Sequence, residues 1–383
     1  MGQEKNNQGD LLDLDFLGDD LILEQAPEPT IIEDDGERGL KFAFICAGQC
    51  GNNIGSTLWE QGYRRVIQFN TTEHDLSMTR VPKRWHVVAE GFDGAGKSRE
   101  IGKRAAAHSS TQVMELMQER FRGVDFIFVV TSSGGGSGSG SASVFAGIAK
   151  SYLMQTQGLA EQEAMSRVGV IGVLPKHQEG STVLENTKAF LHEFVDSATG
   201  KSKGHSPLVF VDNSRASSFL PKSVSISETN NMINKIVMGL FDVFNTVTTR
   251  NSNISTFDPK DYAGILRSGI ITLGASELRK IESDVDIPRQ IKANLVNTLL
   301  VDKLDIGTGT HAGFLLIAGD TAMELITNTA VTKAQEVLNT LLSSSDSKKA
   351  VTITTGIYRQ VKETVKILTL LGGLSFPLSR LED

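Results

Sequence analysis

The stretch Val129–Lys150, VVTSSGGGSGSGSASVFAGIAK, decides how this chain is read. An apolar strand candidate runs into it, and an Ala-rich helix candidate leaves it within a few residues. Gly and Ser in alternation make a flexible linker when nothing structured flanks them. Between a strand and a helix they have another use. Gly134, Gly135, Gly136, Gly138 and Gly140 let the main chain come close to a phosphate chain, while backbone N–H groups and the helix N-terminus supply positive potential. The expectation is a phosphate cradle.

Outward from this loop the chain alternates. LKFAFICAG, VIQFN, WHVVAEG, DFIFVVT, VGVIGVLP and PLVFVDN are short apolar runs separated by helix-length segments, the rhythm of a doubly wound parallel sheet. In ETNNMINKIVMGLFDVFNTVTTR the residues Ile233, Ile236, Val237, Leu240, Val243, Phe244 and Val247 recur at helical spacing, which predicts a long helix with one continuous buried stripe joining two domains. Strands near GIITLG, HAGFLLIAGD and KAVTITTGIY follow, with helices near DYAGILRSG, VNTLLVDKL and TNTAVTKAQEVLNTLL. The predicted organisation is an acidic tail at 1–38, an α/β domain at 39–220, a central helix at 221–250 and a smaller α+β domain at 251–383.

Composition narrows the function. The 383 residues are 39% hydrophobic and 22% charged, and no run approaches the roughly 18 apolar residues of a membrane span. The polar start MGQEKNNQGD has no signal-peptide pattern. Cys46 and Cys50 cannot staple a fold of this size, so a reducing cytoplasm is expected; Cys50 reads equally as a buried small hydrophobe or a ligand-adjacent thiol. Residues 1–38 hold twelve acids and two bases, a net −10 against −7 for the whole chain, so the remainder carries +3. Such a body offers no broad basic face for nucleic acid. The tail DLLDLDFLGDDLILEQAPEPTIIEDD is either a solvating arm or a docking peptide for a neighbouring subunit or an adaptor, since Leu11, Leu12, Leu14, Phe16, Leu17, Leu21 and Leu23 exceed what solubility requires.

Two further loops bear on the chemistry. AGQCGNNIG places glycines at 48, 51 and 55, which departs from the G-x-G-x-x-G dinucleotide fingerprint. GFDGAGKS, residues 91–98, satisfies the P-loop expression with Lys97 and Ser98. It follows the third strand candidate rather than the first, however, and Asp125 stands at the start of its strand, where no Walker B aspartate belongs.

Taken in order, these loops resemble the tubulin and FtsZ superfamily of polymerising GTPases over about residues 40–275. AGQCGNNIG is similar to the first nucleotide loop of eukaryotic tubulins, GFDGAGKSREIGKRAA to FtsZ's third loop, and GGGSGSG to the signature GGGTGTG/GGGTGSG, with Ser137 for Thr. The front tail and the Lys-Ser in the third loop resemble the divergent plasmid and phage tubulins (TubZ-like and PhuZ-like).

The resemblance implies GTP/GDP with Mg²⁺, head-to-tail filaments, and hydrolysis completed by the adjacent subunit, for plasmid partitioning or the positioning of phage or DNA. It implies that Gly48, Gln49, Cys50 and Asn52 lie under the α/β phosphates, and that Asn70 and Thr71 correspond to the NTDAQAL loop, with Thr72 in place of an acid and Glu73 beside it. Gly94, Ala95 and Gly96 would lie near the γ-phosphate, and Gly135, Gly136, Ser137 and Gly138 would wrap the phosphates. Pro175 and Glu179 resemble the ribose-side loop, and Asn213 and Asn231 would read guanine. In TFDPKDYAGIL, Asp258 and Asp261 resemble the catalytic loop, with Thr256 for its Asn; no metal-ligating side chain is assigned. The alternatives are a non-polymerising P-loop NTPase using Lys97 and Ser98, or a nucleotide-bound scaffold without hydrolysis.

Overall fold

Strand β1 (Phe42–Ala47) is buried at every position, and its side chains alternate between two cores. Phe42, Phe44 and Cys46 point into one, and Ala43, Ile45 and Ala47 into the other. A strand with period-two side chains and two apolar faces must be covered on both sides. This is why the run LKFAFICA shows no polar alternation.

The computed structural model describes residues 36–176, 178–218, 225–296, 304–344, 350–377 and 379. Nearly all of the acidic tail and most of VNTLLVDKL, for which a helix is expected, lie outside them. After β1 come α1 (Gly48–Glu60), β2 (Val66–Asn70), β3 (His86–Val88), α2 (Arg99–His108), α3 (Ser110–Arg120), β4 (Phe126–Ser132), α4 (Ser137–Gln157), α5 (Glu161–Met165), β5 (Val168–Leu174), α6 (Ser181–Phe194), β6 (Leu208–Asp212) and α7 (Asn213–Ser218). The long helix α8 (Ile226–Val247) leads to α9 (Pro259–Leu266), β7 (Ile270–Leu278), α10 (Asp286–Val296), β8 (His311–Ala318), α11 (Asp320–Glu324), α12 (Asn328–Leu342), β9 (Thr352–Arg359) and β10 (Val365–Leu374).

The ten strands form one sheet in the order β3-β2-β1-β4-β5-β6-β7-β10-β8-β9. From β3 to β6 every pairing is parallel, the expected doubly wound unit. Its strand order reverses between β1 and β4, so the switch point lies where the two glycine loops leave the sheet. The second part joins through a single pair, Leu208 with Ile270, and is mixed: β10 runs antiparallel to β7 and β8, and β9 parallel to β8. Strand β10 has no counterpart among the sequence-based strands. Its run VKILTLLGGL is buried throughout and carries no alternation to mark it. No helix among the described residues is long and apolar enough to cross a membrane.

Helix α8 buries its predicted stripe, Ile233 through Val247, against both parts. Phe241 meets Phe128 of β4 edge-on at 5.9 Å between ring centroids, and Phe244 lies 6.0 Å from both Phe257 and Tyr262. The segment entering β1 is fastened to the same helix. Arg38 Nε donates to Asp242 at 2.7 Å, and its guanidinium lies 4.2 Å from the Tyr63 ring centroid. Asn245 exchanges two hydrogen bonds with the Leu40 main chain. Arg38 therefore belongs to the folded body rather than to the tail that the sequence boundary gave it.

With the Arg38 side chain only 3% exposed, loss of the Asp242 carboxylate removes a counter-charge from a desolvated cation, although the Gln61 carbonyl still accepts from it. Asp242→Ala is expected to cost about 3 kcal/mol, read as a lower urea midpoint at unchanged slope. Glu282→Ala, which breaks the exposed Lys280–Glu282 pair, is expected to cost less than about 0.5 kcal/mol.

Candidate nucleotide site

The cradle is built from the ends of β1 and β4, hydrogen-bonded neighbours at the switch point. At Gly48, φ is +72°, and a Cβ there would stand 2.9 Å from the Gly138 nitrogen; at Gly138 a Cβ would stand 2.6 Å from the Ala47 carbonyl oxygen. Only backbones without side chains pass this closely. The N-termini of α1 and α4, each with free N–H groups, are thereby brought close together.

A cleft of about 650 Å³ runs along the C-terminal edge of the parallel strands, within the range of small-molecule sites. Of the expected residues, Gln49, Cys50, Gly135, Pro175, Glu179 and Asn213 line it. Glu179 is held by accepting from the Lys176 N–H at 3.1 Å. Burial pushes the Cys50 thiol up to about 12, so it meets the cleft as a neutral group and not as a thiolate nucleophile.

Other expected residues stand behind the cleft. Thr71 and Ser137 share a hydrogen bond at 2.7 Å between their hydroxyls, and Asn70 donates to Asp75 at 2.8 Å. A Cβ on Gly136 would meet the Ala95 Cβ at 2.8 Å and Lys97 and Ser98 main-chain atoms at 2.9 Å. Thus Gly136 and Ala95 belong to the seam between two loops, with Gly94 and Gly96 in left-handed turns beside it. By contrast, a Cβ on Gly135 would meet only Ser132 Oγ, at 3.2 Å, and Gly135 lines the cleft.

Two asparagines are displaced from their expected roles by one helical step. Asn52 is fully buried and donates to the Phe69 carbonyl at 3.1 Å, while Asn53 lines the cleft. Asn231 is exposed on α8, and Asn230 and Asn234 line the cleft instead. The helical period carried the signal: Asn230 is seven residues before buried Val237 and so extends the apolar stripe, whereas Asn231 shares its face with exposed Lys235.

GFDGAGKS leaves the sheet from its edge strand β3, not from the centre where the cradle forms. Ser98 Oγ accepts from the Ile101 N–H at 3.4 Å as the N-cap of α2, so its hydroxyl caps a helix. Lys97, however, lines the cleft.

Asp258 and Asp261 do not line the cleft of their own chain. They form a capping box at the start of α9: Asp258 Oδ1 accepts from the Lys260 and Asp261 N–H groups at 2.7 and 2.9 Å, and Asp261 Oδ2 accepts from the Asp258 N–H at 3.1 Å. Burial holds the Asp261 carboxyl above its ordinary range, and the Asp258 charge adds to the shift. Among the described residues no group of three or more His, Cys, Asp or Glu side chains could hold a metal ion.

The two glycines are expected to separate binding from folding. Gly135→Val fills the cleft and should abolish nucleotide binding with a melting temperature within a few degrees of wild type. Gly136→Val must part the two loops and should lower the melting temperature clearly more. Thermal melts with and without nucleotide measure both.

Residues 41–199 match the Tubulin/FtsZ family, GTPase domain. The Tubulin-like protein TubZ of Bacillus cereus is 24% identical over 286 residues, covering 70% of this chain and 62% of the relative's length. Among solved structures, the GTPγS-form protofilament of TubZ from Bacillus thuringiensis serovar israelensis superposes with a TM-score of 0.73 at 14% identity, covering 91% of this chain and 92% of that one. The GTPγS-bound protofilament of CetZ2 from Haloferax volcanii gives 0.71 at 22% identity, with 90% and 97% covered. An empty FtsZ dimer from M. jannaschii gives 0.60 at 22%, with 87% and 88% covered. The glycine loops at the switch point and the long central helix agree with these likenesses: residues 41–199 match the Tubulin/FtsZ family, GTPase domain, and the chain shares the fold of the TubZ, CetZ2 and FtsZ structures.

Proposed function

We propose that this chain binds GTP across the C-terminal edge of its parallel sheet and assembles head to tail, each copy bringing Asp258 and Asp261 to the cleft of the next. The phosphates lie against Gly135 and the N-termini of α1 and α4, the ribose hydroxyls against Glu179, and the base among Asn213, Asn230 and Asn234, whose amides offer donors and acceptors to a purine edge. The observation that carries the reading is the placement of the acids. The cleft reaches α8 at Asn234, and the acids follow the other end of that helix at Val247. At 1.5 Å per residue these points are about 20 Å apart, too far for a side chain to span.

Phosphoryl transfer asks mainly for positioning and charge. A carboxylate from the neighbouring copy would orient the attacking water and accept its proton. Mg²⁺, which usually keeps phosphate and water oxygens as ligands, would neutralise the developing charge. The contact between copies is heterologous and does not close, the geometry of a filament. The protofilament and filament forms of the TubZ and CetZ2 structures support the assembly. Resemblance to plasmid and phage tubulins supports a role in positioning such DNA through an adaptor in the cytoplasm, with the acidic tail tuning assembly.

Turnover per subunit should rise with protein concentration. Asp261→Asn should still bind GTP and assemble, with hydrolysis slowed by about 10² to 10⁴. Mixing Asp261→Asn with Gly135→Val should recover activity, because each supplies the half-site the other lacks. A dead mixture, or a rate per subunit independent of concentration, assigns the whole reaction to one chain. For the base, Asn234→Ala should weaken GTP about fivefold, the scale of one hydrogen bond, and Asn231→Ala should leave calorimetric affinity unchanged.

A further inference from the structure

The P-loop-like segment has no role in the proposed function above, yet one of its residues, the exposed Lys97, lines the cleft. Lys97 is the cation among the described residues that line it. Its backbone is also unusual: φ is +64°, and among the described residues it alone has a positive φ without being glycine. A left-handed lysine costs conformational free energy that a glycine would not, and Gly96 beside it shows that the loop accommodates glycine.

The conformation is braced from outside the loop. Asn186 Nδ2 on α6 donates to the Lys97 carbonyl at 2.8 Å and to the Gly134 carbonyl at 3.1 Å, tying the third loop to the cradle. Arg99 Nη1 donates to the Asn186 carbonyl at 2.9 Å, and Arg99 Nη2 pairs with Glu193 at 2.8 Å. The Lys97 main chain also abuts Gly136, as the contacts of a Cβ there show.

Strand order says which end of a ligand it faces. Asn213 follows β6 on one side of the switch point, Gly135 follows β4 beside it, and Lys97 follows β3 on the other side. A nucleotide with its base at Asn213 and Asn234 and its phosphates at Gly135 points its terminal phosphate toward β3. We infer that Lys97 is a specificity-determining residue, a braced cation that recognises the terminal phosphate and makes the cleft prefer a nucleoside triphosphate over the diphosphate. The inference rests on the proposed nucleotide site and adds to it the group that senses the third phosphate.

The test uses the full chain and measures GTPγS and GDP affinities by calorimetry for wild type, Lys97→Gly and Lys97→Asn. Both substitutes tolerate the left-handed conformation, so the loop keeps its course while the charge is lost. The expected result is about 10- to 100-fold weaker GTPγS binding, the scale of a charged hydrogen bond, with GDP changed less than about threefold. The melting temperature without nucleotide should stay level or rise in Lys97→Gly, a readout that a structural lysine would move downward. The wild-type preference for GTPγS should shrink with added salt and become salt-insensitive in both variants. Equal weakening of the two nucleotides, or an unchanged ratio in either variant, overturns the role of Lys97 while leaving the nucleotide site in place. Failure of the wild-type chain to bind either nucleotide removes the site itself, and with it this inference.

Discussion

The close passage of Gly48 and Gly138 at the ends of β1 and β4 is the contact on which the rest depends. Parallel neighbours cannot end in helices that both start at the same point unless their backbones touch there, because ordinary side chains would hold the turns apart. The interlock lets α1 cover one face of the sheet and α4 the other while their N-termini converge. Sheet pairing and ligand cradle are thus one constraint. A Cβ at Gly138 would press on Ala47 itself, so damage to the cradle passes directly into the β1–β4 ladder.

Charge is used sparingly in the cleft. Its described lining has one cation, Lys97, and one acid, Glu179, among amides, glycines and small apolar side chains. N–H dipoles at helix N-termini are fixed by the fold and need no reorganisation when an anion binds. The dense acidity of the chain lies in residues 1–38.

The fold was legible because its information is local. Runs such as VIQFN and PLVFVDN are strands for the reason the sequence suggests, apolar and β-branched residues bounded by turns. β10 was not legible, because a strand buried on both faces between β7 and β8 shows no period, and LLGGL reads as well for a loop. The site was legible by loop and less so by residue. Which glycine faces a ligand depends on what stands behind it: Gly136 has the third loop at its back and Gly135 open space, and GGGSGSG contains no trace of that difference. Asn52 against Asn53 turns on one helical step, and on a partner, the Phe69 carbonyl, seventeen positions away. The seam between the third loop and the cradle, made by Asn186, joins elements with no sequence proximity at all.

Helix α8 links the cleft to the capping box that follows its far end. Tyr262 of α9 is fully buried and donates to the Phe241 carbonyl at 3.3 Å, so the capping box that presents Asp258 and Asp261 is packed onto the same helix whose other end lines the cleft. The capping hydrogen bonds fix the carboxylates in direction while leaving lone pairs on their oxygens for a water. Cleft and acids are therefore held as two ends of one rigid element, at a separation that no loop motion within the chain removes. A two-fold dimer brings a surface to its own copy; here the surface with the acids and the surface with the cleft are different. In the proposed assembly, the pairing that joins acid to phosphate is a displacement along α8, and a displacement applied once can be applied again by the next copy. On that proposal, filament growth and completion of the catalytic site are the same contact.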